Sequence, residues 1–115
     1  MSRDLKFPDE YVQQACELFR VLSDRTRLSL LLLLAAGEHN VGQLCQKLQL
    51  PQPTVSHHLG LMRMSGVLIR RRHGKQMIYS VNAELLRDLG IEFIKHASPD
   101  GSKVQLDRFT FGLIG

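Results

Sequence analysis

The sequence has no tryptophan, two cysteines and only seven aromatic residues, so its core must be built mainly from aliphatic side chains, leucine above all. A chain of 115 residues is one domain's worth of material and buries somewhat over ~60% of its unfolded surface, so a partner subunit is expected to help. Cys16 and Cys45 stand 29 positions apart in a chain without an export signal, which reads as two reduced thiols rather than a structural bridge. Long apolar runs are missing too. The longest, Leu30 to Ala36, is seven residues, far short of the ~20 that span a bilayer, and the opening Met-Ser-Arg-Asp-Leu-Lys-Phe-Pro alternates charged and apolar residues as no secretion signal does. The expected compartment is the cytoplasm, with no membrane segment.

Acid is the scarcest ingredient of the middle of the chain. From His39 to Ala83 there is not one Asp or Glu, while Lys47, Arg63, Arg70, Arg71, Arg72 and Lys75 supply six cations. The remaining 70 residues hold nine cations against eleven anions, a net −2. A 45-residue stretch of unopposed positive charge suits a partner that must give up counterions, which is a polyphosphate such as nucleic acid. Catalytic parts are lacking: there is no Gly-x-Ser-x-Gly elbow, no His-Glu-x-x-His pair and no phosphate-cradling glycine loop. The neighbours Ser56 and His57 point about 100° apart on a helix. Stacking aromatics for single-stranded RNA are absent as well, since Tyr79 is the lone aromatic of the basic stretch.

What is present is a series of well-punctuated helices. Pro8-Asp9-Glu10 starts a first helix, in which Tyr11, Ala15, Leu18 and Leu22 recur at helical spacing. Ser23-Asp24 caps a second through the leucine run to Gly37. Asn40 caps a short third helix over Val41 to Leu48. Pro51 and Pro53 restart the chain into a fourth, from about Gln52 to Ser65, stopped by Gly66. Val67–Arg71 and Met77–Val81 bracket His73-Gly74-Lys75 as an antiparallel hairpin, and Asn82 caps a last helix to about His96. After Ser98-Pro99-Asp100-Gly101 the tail alternates weakly, as an extra strand or a partner-docking arm. The fold class expected is mainly α with a small β-hairpin, a winged helix-turn-helix in the order α-α-α-α-β-β-α, whose helix-turn-helix is Val41 to Ser65.

Four blocks in this order resemble the ArsR/SmtB winged-helix repressors of bacteria and archaea. Leu18-Phe-Arg-Val-Leu-Ser-Asp-Arg-Thr-Arg-Leu28 is similar to the family's passage from first to second helix, and Asn40-Val-Gly-Gln-Leu44 to the opening of its third. Gln52-Pro-Thr-Val-Ser-His-His-Leu59 resembles its recognition helix, and Gly66-Val-Leu-Ile-Arg-Arg-Arg72 with His73-Gly-Lys75 and Tyr79 its wing. The resemblance covers Leu18 to about Asn82. It implies a homodimer built through the first and last helices that binds an inverted repeat in double-stranded DNA and represses transcription until an effector, unknown here, intervenes. Residues 1–97 then form the DNA-binding and dimerisation domain and 98–115 the C-terminal tail or arm.

On the fourth helix, Val55, Leu59 and Met62 lie on one side, which leaves Ser56, Gly60 and Arg63 opposite and Gln52, Thr54 and His57 at the leading end. That outer face is expected to carry polar groups and no bulky apolar residue. Gln52 can pair with an adenine edge, Thr54 can offer hydroxyl or methyl to a base, and Ser56 and His57 can donate to bases or phosphates. Gly60 lets the backbone approach a duplex. His58, turned toward the buried side, reads as a packed or hydrogen-bonded histidine. In the wing, strand alternation sends Arg70 and Arg72 opposite Arg71, and Arg72 and Lys75, nearest the tip, are the candidates for phosphate or minor-groove contact.

No cofactor and no metal site is expected. Metal sensors of the family carry a Cys-Val-Cys type pair where this chain has Asn40-Val41-Gly42. Cys45 lies on the apolar face of its helix as a small core residue, and Glu84, Asp88, Glu92 and His96, four apart, read as a solvated acidic face. The competing function is a winged helix that docks an acidic protein without specific DNA binding.

Overall fold

The structure, a computed structural model, describes residues 8–98, Asp100 and the backbone of 103–106 and 109–112. In chain order its elements are α1 (Asp9–Leu22), α2 (Arg25–Ala36), β1 (His39–Asn40), α3 (Val41–Leu48), α4 (Gln52–Met64), β2 (Leu68–His73), β3 (Gln76–Val81), α5 (Ala83–Ala97), β4 (Lys103–Leu106) and β5 (Phe109–Gly112). Residues 16–83 form one compact unit, and the described residues before and after them another.

In the first unit each helix begins and ends on a nameable group. Asp24 caps α2 by accepting the Arg27 backbone N–H at 3.0 Å. α2 is apolar on every side: Leu30 and Leu34 are buried, whereas Leu28 and Leu32 are exposed. Asn40 opens α3 with a reciprocal capping box, its side chain accepting from Gln43 N while its own N–H donates to the Gln43 amide oxygen. Gln49 ends α3 in the left-handed region at φ 58°, and three residues later the chain is helical again, with Pro51 extended before α4 and Pro53 in its first turn. α4 stops in a Schellman turn: Val67 N–H donates to the Met62 carbonyl and Gly66 N–H to that of Arg63. Gly66 sits at φ 86°, a conformation that favours glycine.

A three-stranded sheet of order β1-β3-β2 completes this unit. β2 and β3 pair antiparallel from Leu68↔Val81 to His73↔Gln76. The strand runs on to His73, past the Arg71 expected from its β-prone residues, because the turn needs only Gly74 and Lys75. Gly74 at φ 63° supplies the positive angle such a hairpin requires at its first central residue. β1 has no counterpart in the sequence reading. It is two residues long, pairing His39↔Tyr79 and Asn40↔Ile78, too short for any alternation to show. Leu30, Leu34, Leu44, Val55, Leu59, Met62, Val67, Leu68 and Tyr79 make the core. The expected aliphatic packing is what the unit has.

In the second unit α5 carries the i, i+4 pair of His96 and Glu92, 3.0 Å apart, and the Tyr11 ring lies 5.5 Å from that of His96. Burial, with the Glu92 charge adding, raises the Tyr11 phenol above its ordinary value. Tyr11, Val12, Phe93, His96 and Ala97 line an open apolar groove of about 320 Å³. In the tail, β4 and β5 form an antiparallel hairpin, Lys103↔Gly112 to Leu106↔Phe109, where the weak alternation suggests an extra strand or an arm. Among the described residues no helix is long and apolar enough to cross a membrane.

Candidate nucleic-acid interface

α4 turns Val55, Leu59 and Met62 fully inward, which aims its other sides outward. Gln52, Ser56, His57 and Arg63 are exposed and Thr54 is half-buried. Among the described residues these five side chains make no hydrogen bond or ion pair with the rest of the chain, so their polar groups are available to a ligand. A Cβ built on Gly60 meets no atom within 4 Å, and nothing inside the chain therefore requires glycine there. One expectation is corrected. The outer side of α4 does carry bulky apolar residues, since Leu61 is 36% and Met64 82% exposed; three inward positions suffice to hold a helix of this length, and later apolar residues fall outside that stripe.

His58 is hydrogen-bonded, as its place beside the buried side implies. Its Nδ1 accepts from Arg27 Nη1 at 3.2 Å and lies 3.9 Å from the Asp24 carboxylate. Arg27 is itself fixed, its Nε donating to the Val21 carbonyl. The Arg27 backbone N–H is the main influence holding the Asp24 carboxyl below the usual carboxylate range, with the Arg27 guanidinium adding to it.

The wing sorts its cations by face. Arg70 and Arg72 pair across to Tyr79 and Met77, Arg71 to Ile78, so Arg71 points away from the other two as alternation requires. Arg71 donates to the Glu38 carboxylate at 2.7 Å. Lys47 donates to His39 Nε2 at 2.7 Å while the Nδ1–H of the same ring donates to the Gly37 carbonyl. Arg63, Arg70, Arg72 and Lys75 are left with no carboxylate partner among the described residues. Arg63, Arg72 and Lys75 belong to the set read from the sequence. Arg70 does not, and the signal for it is the cross-strand register that puts it on the Arg72 face.

Elsewhere the chemistry is sparse. Cys16 is exposed, Cys45 half-buried and both are free thiols. Of the acidic positions on α5, Glu92 is engaged with His96, and among the described residues no three His, Cys, Asp or Glu side chains converge as metal ligands.

Residues 24–69, spanning α2, the helix-turn-helix and the start of the wing, match the family described as bacterial regulatory protein, arsR family. The chain is 37% identical over 95 residues to the HTH-type transcriptional regulator KmtR of Mycobacterium tuberculosis, covering 80% of this chain and 73% of that one. The chain belongs to the ArsR family. This ArsR-family chain is also 43% identical over 70 residues to the arsenical resistance operon repressor of Escherichia coli, 60% of each. Its fold matches the crystal structure of the transcriptional repressor BigR from Xylella fastidiosa with a TM-score of 0.63 at 32% identity, over 81% of this chain and 94% of that one. As a member of the family it is a winged-helix, DNA-binding transcriptional regulator, and α3 and α4 are its helix-turn-helix.

Proposed function

We propose that this ArsR-family regulator is a repressor that binds an inverted-repeat operator as a homodimer, reading bases with the leading end of α4 and gripping phosphates with the wing. Gln52, Thr54, Ser56 and His57 contact base edges, and Arg63, Arg72 and Lys75 contact the backbone. The observation that carries this reading is on the outer side of α4: among the described residues, five polar side chains make no internal hydrogen bond or ion pair, and three fully buried neighbours face the other way. In a helix-turn-helix the second helix enters the major groove by its N-terminal residues. The cations without carboxylate partners lie along the same basic stretch and fit the phosphate role.

Dimerisation runs through α1 and α5. Both are amphipathic, yet neither buries a single residue completely within the chain, and Phe19 on α1 and Phe93 on α5 are 70% and 50% exposed. Apolar area of that kind is stabilised by a second copy. Residues 1–97 constitute the DNA-binding and dimerising domain, 98–115 an arm beyond it, and the setting is cytoplasmic.

Fluorescence-anisotropy titration of the purified protein against the DNA upstream of its own coding region and a scrambled duplex, each at two salt concentrations, tests the reading, with sedimentation reporting the oligomer. Tighter, salt-sensitive binding to the upstream duplex by a dimer is expected. Equal weak binding to both duplexes overturns it in favour of a protein-docking winged helix.

A further inference from the structure

The three residues that seat α4, Val55, Leu59 and Met62, are aliphatic, and apolar contact has little direction. Burial of this stripe fixes which side of the helix faces in, but it sets the fine angle about the axis less sharply than a directed bond does. A turn of one residue position rotates a helix face by about 100°, and even a small fraction of that displaces the side chains at the leading end relative to base edges. A directional bond from another element can sharpen the angle at which Gln52, Ser56 and His57 are presented.

We infer that His58 is the positioning residue that sets this angle, by accepting a hydrogen bond from Arg27, and that the sequence preference of the regulator depends on it. A guanidinium has donors only, so the 3.2 Å approach of Arg27 Nη1 requires a lone pair on His58 Nδ1 and puts the ring hydrogen on Nε2. The imidazole acts as an oriented acceptor. Its donor is held rigidly, with Arg27 Nε on the Val21 carbonyl at the end of α1 and the Arg27 backbone on the Asp24 cap of α2. The chain of bonds thus runs from the α1–α2 corner into the middle of α4. The His58 side chain is only 16% exposed, so the bond is shielded from competing water. The His58 ring is edge-on to that of its neighbour His57, 5.5 Å between centroids.

This inference rests on the reading of α4 as the base-reading helix, and the test separates the two. Anisotropy titrations of full-length protein against the upstream and scrambled duplexes compare wild type with His58→Leu, His58→Asn and Arg27→Leu. In asparagine the side-chain oxygen falls close to the place of Nδ1 and keeps the acceptor. The expected result is a drop of about tenfold in the upstream-to-scrambled affinity ratio for His58→Leu and Arg27→Leu, the size of one mis-set base pairing. Binding to the scrambled duplex is expected to stay within about twofold of wild type, with His58→Asn close to wild type in both. A double variant no worse than either single one is expected for two partners of one bond. Unchanged discrimination in His58→Leu overturns the inference, and so does an equal weakening on both duplexes that His58→Asn fails to rescue. Wild type that does not discriminate overturns the reading of α4 and the inference with it. Imidazole nitrogen NMR of the wild-type ring serves if the leucine variants fail to fold: a bare Nδ1 supports the inference and a protonated one overturns it.

Discussion

Glu38 and Arg71 reach each other across β3. The carboxylate, just before β1, accepts from the guanidinium on β2 at 2.7 Å, and β3 lies between those strands in the sheet. One of three consecutive wing arginines thus has its charge met from within the chain. The arginines of the wing are not equivalent, and salt titrations should separate them.

Arg72→Ala and Lys75→Ala should weaken binding to every duplex alike and flatten the plot of log affinity against log salt by about 0.9 for each phosphate no longer neutralised. Arg71→Ala should leave that slope unchanged, whereas Glu38→Gln should steepen it by freeing a cation. A flattened slope for Arg71→Ala would sink this division of labour.

Base reading should fail differently. Gln52→Ala or His57→Ala is expected to relax the preference at one base pair by about 1–3 kcal/mol with little change on scrambled DNA. Titration against duplexes with single base-pair changes resolves which position each residue reads, and a uniform weakening would assign these residues to the backbone instead.

Gly60 separates folding from binding. A helix-interior glycine is less favourable than alanine by roughly 0.5–1 kcal/mol, and no atom of the chain stands within 4 Å of the added methyl. Gly60→Ala should therefore raise the urea midpoint while weakening operator binding, because the methyl occupies space the duplex needs. If affinity holds as stability rises, the backbone of α4 stays clear of the DNA.

Asp24 ties stability to acid. Its carboxyl is held below the usual range, first by the Arg27 backbone N–H and then by the Arg27 guanidinium. A carboxyl with a lower pKa folded than unfolded adds stability that is complete above its unfolded value and disappears as pH falls through its folded one. Asp24→Asn keeps a side-chain cap and removes the charge. The gap in urea midpoint between wild type and this variant should be open at neutral pH and close below the carboxylate range; a gap constant with pH would contradict the electrostatic origin.

The helices are legible because each carries its own punctuation. Asp24 and Asn40 are caps within reach of their own helices, Gly66 follows α4 where a left-handed residue is needed, and Val55, Leu59 and Met62 show the inward side by spacing alone. What escapes is set by partners distant in sequence. β1 exists because β3 passes beside His39 and Asn40, and no local pattern in two residues announces that. The Glu38–Arg71 pair joins residues 33 positions apart, which hides the fact that the anion-free run is served by an acid at its border. Arg70 is passed over when nearness to the turn is weighed more than the shared face. Leu61 and Met64 escape in another way, since they share the His57 side of α4 at i+4 and i+7 and stand exposed there, where polar groups alone were expected. His58 is placed correctly by helix geometry, but its donor, 31 residues away, is not visible in the sequence.

Asn40 serves two neighbours at once. Its backbone N–H and side-chain oxygen close the cap of α3 with Gln43, and its side-chain nitrogen donates to Gln76 at the base of the hairpin turn at 3.3 Å. The wing and the first turn of the helix-turn-helix are therefore pivoted on a common pin. One short side chain at the α2–α3 junction thereby gives the turn of the wing and the start of α3 a shared point of attachment.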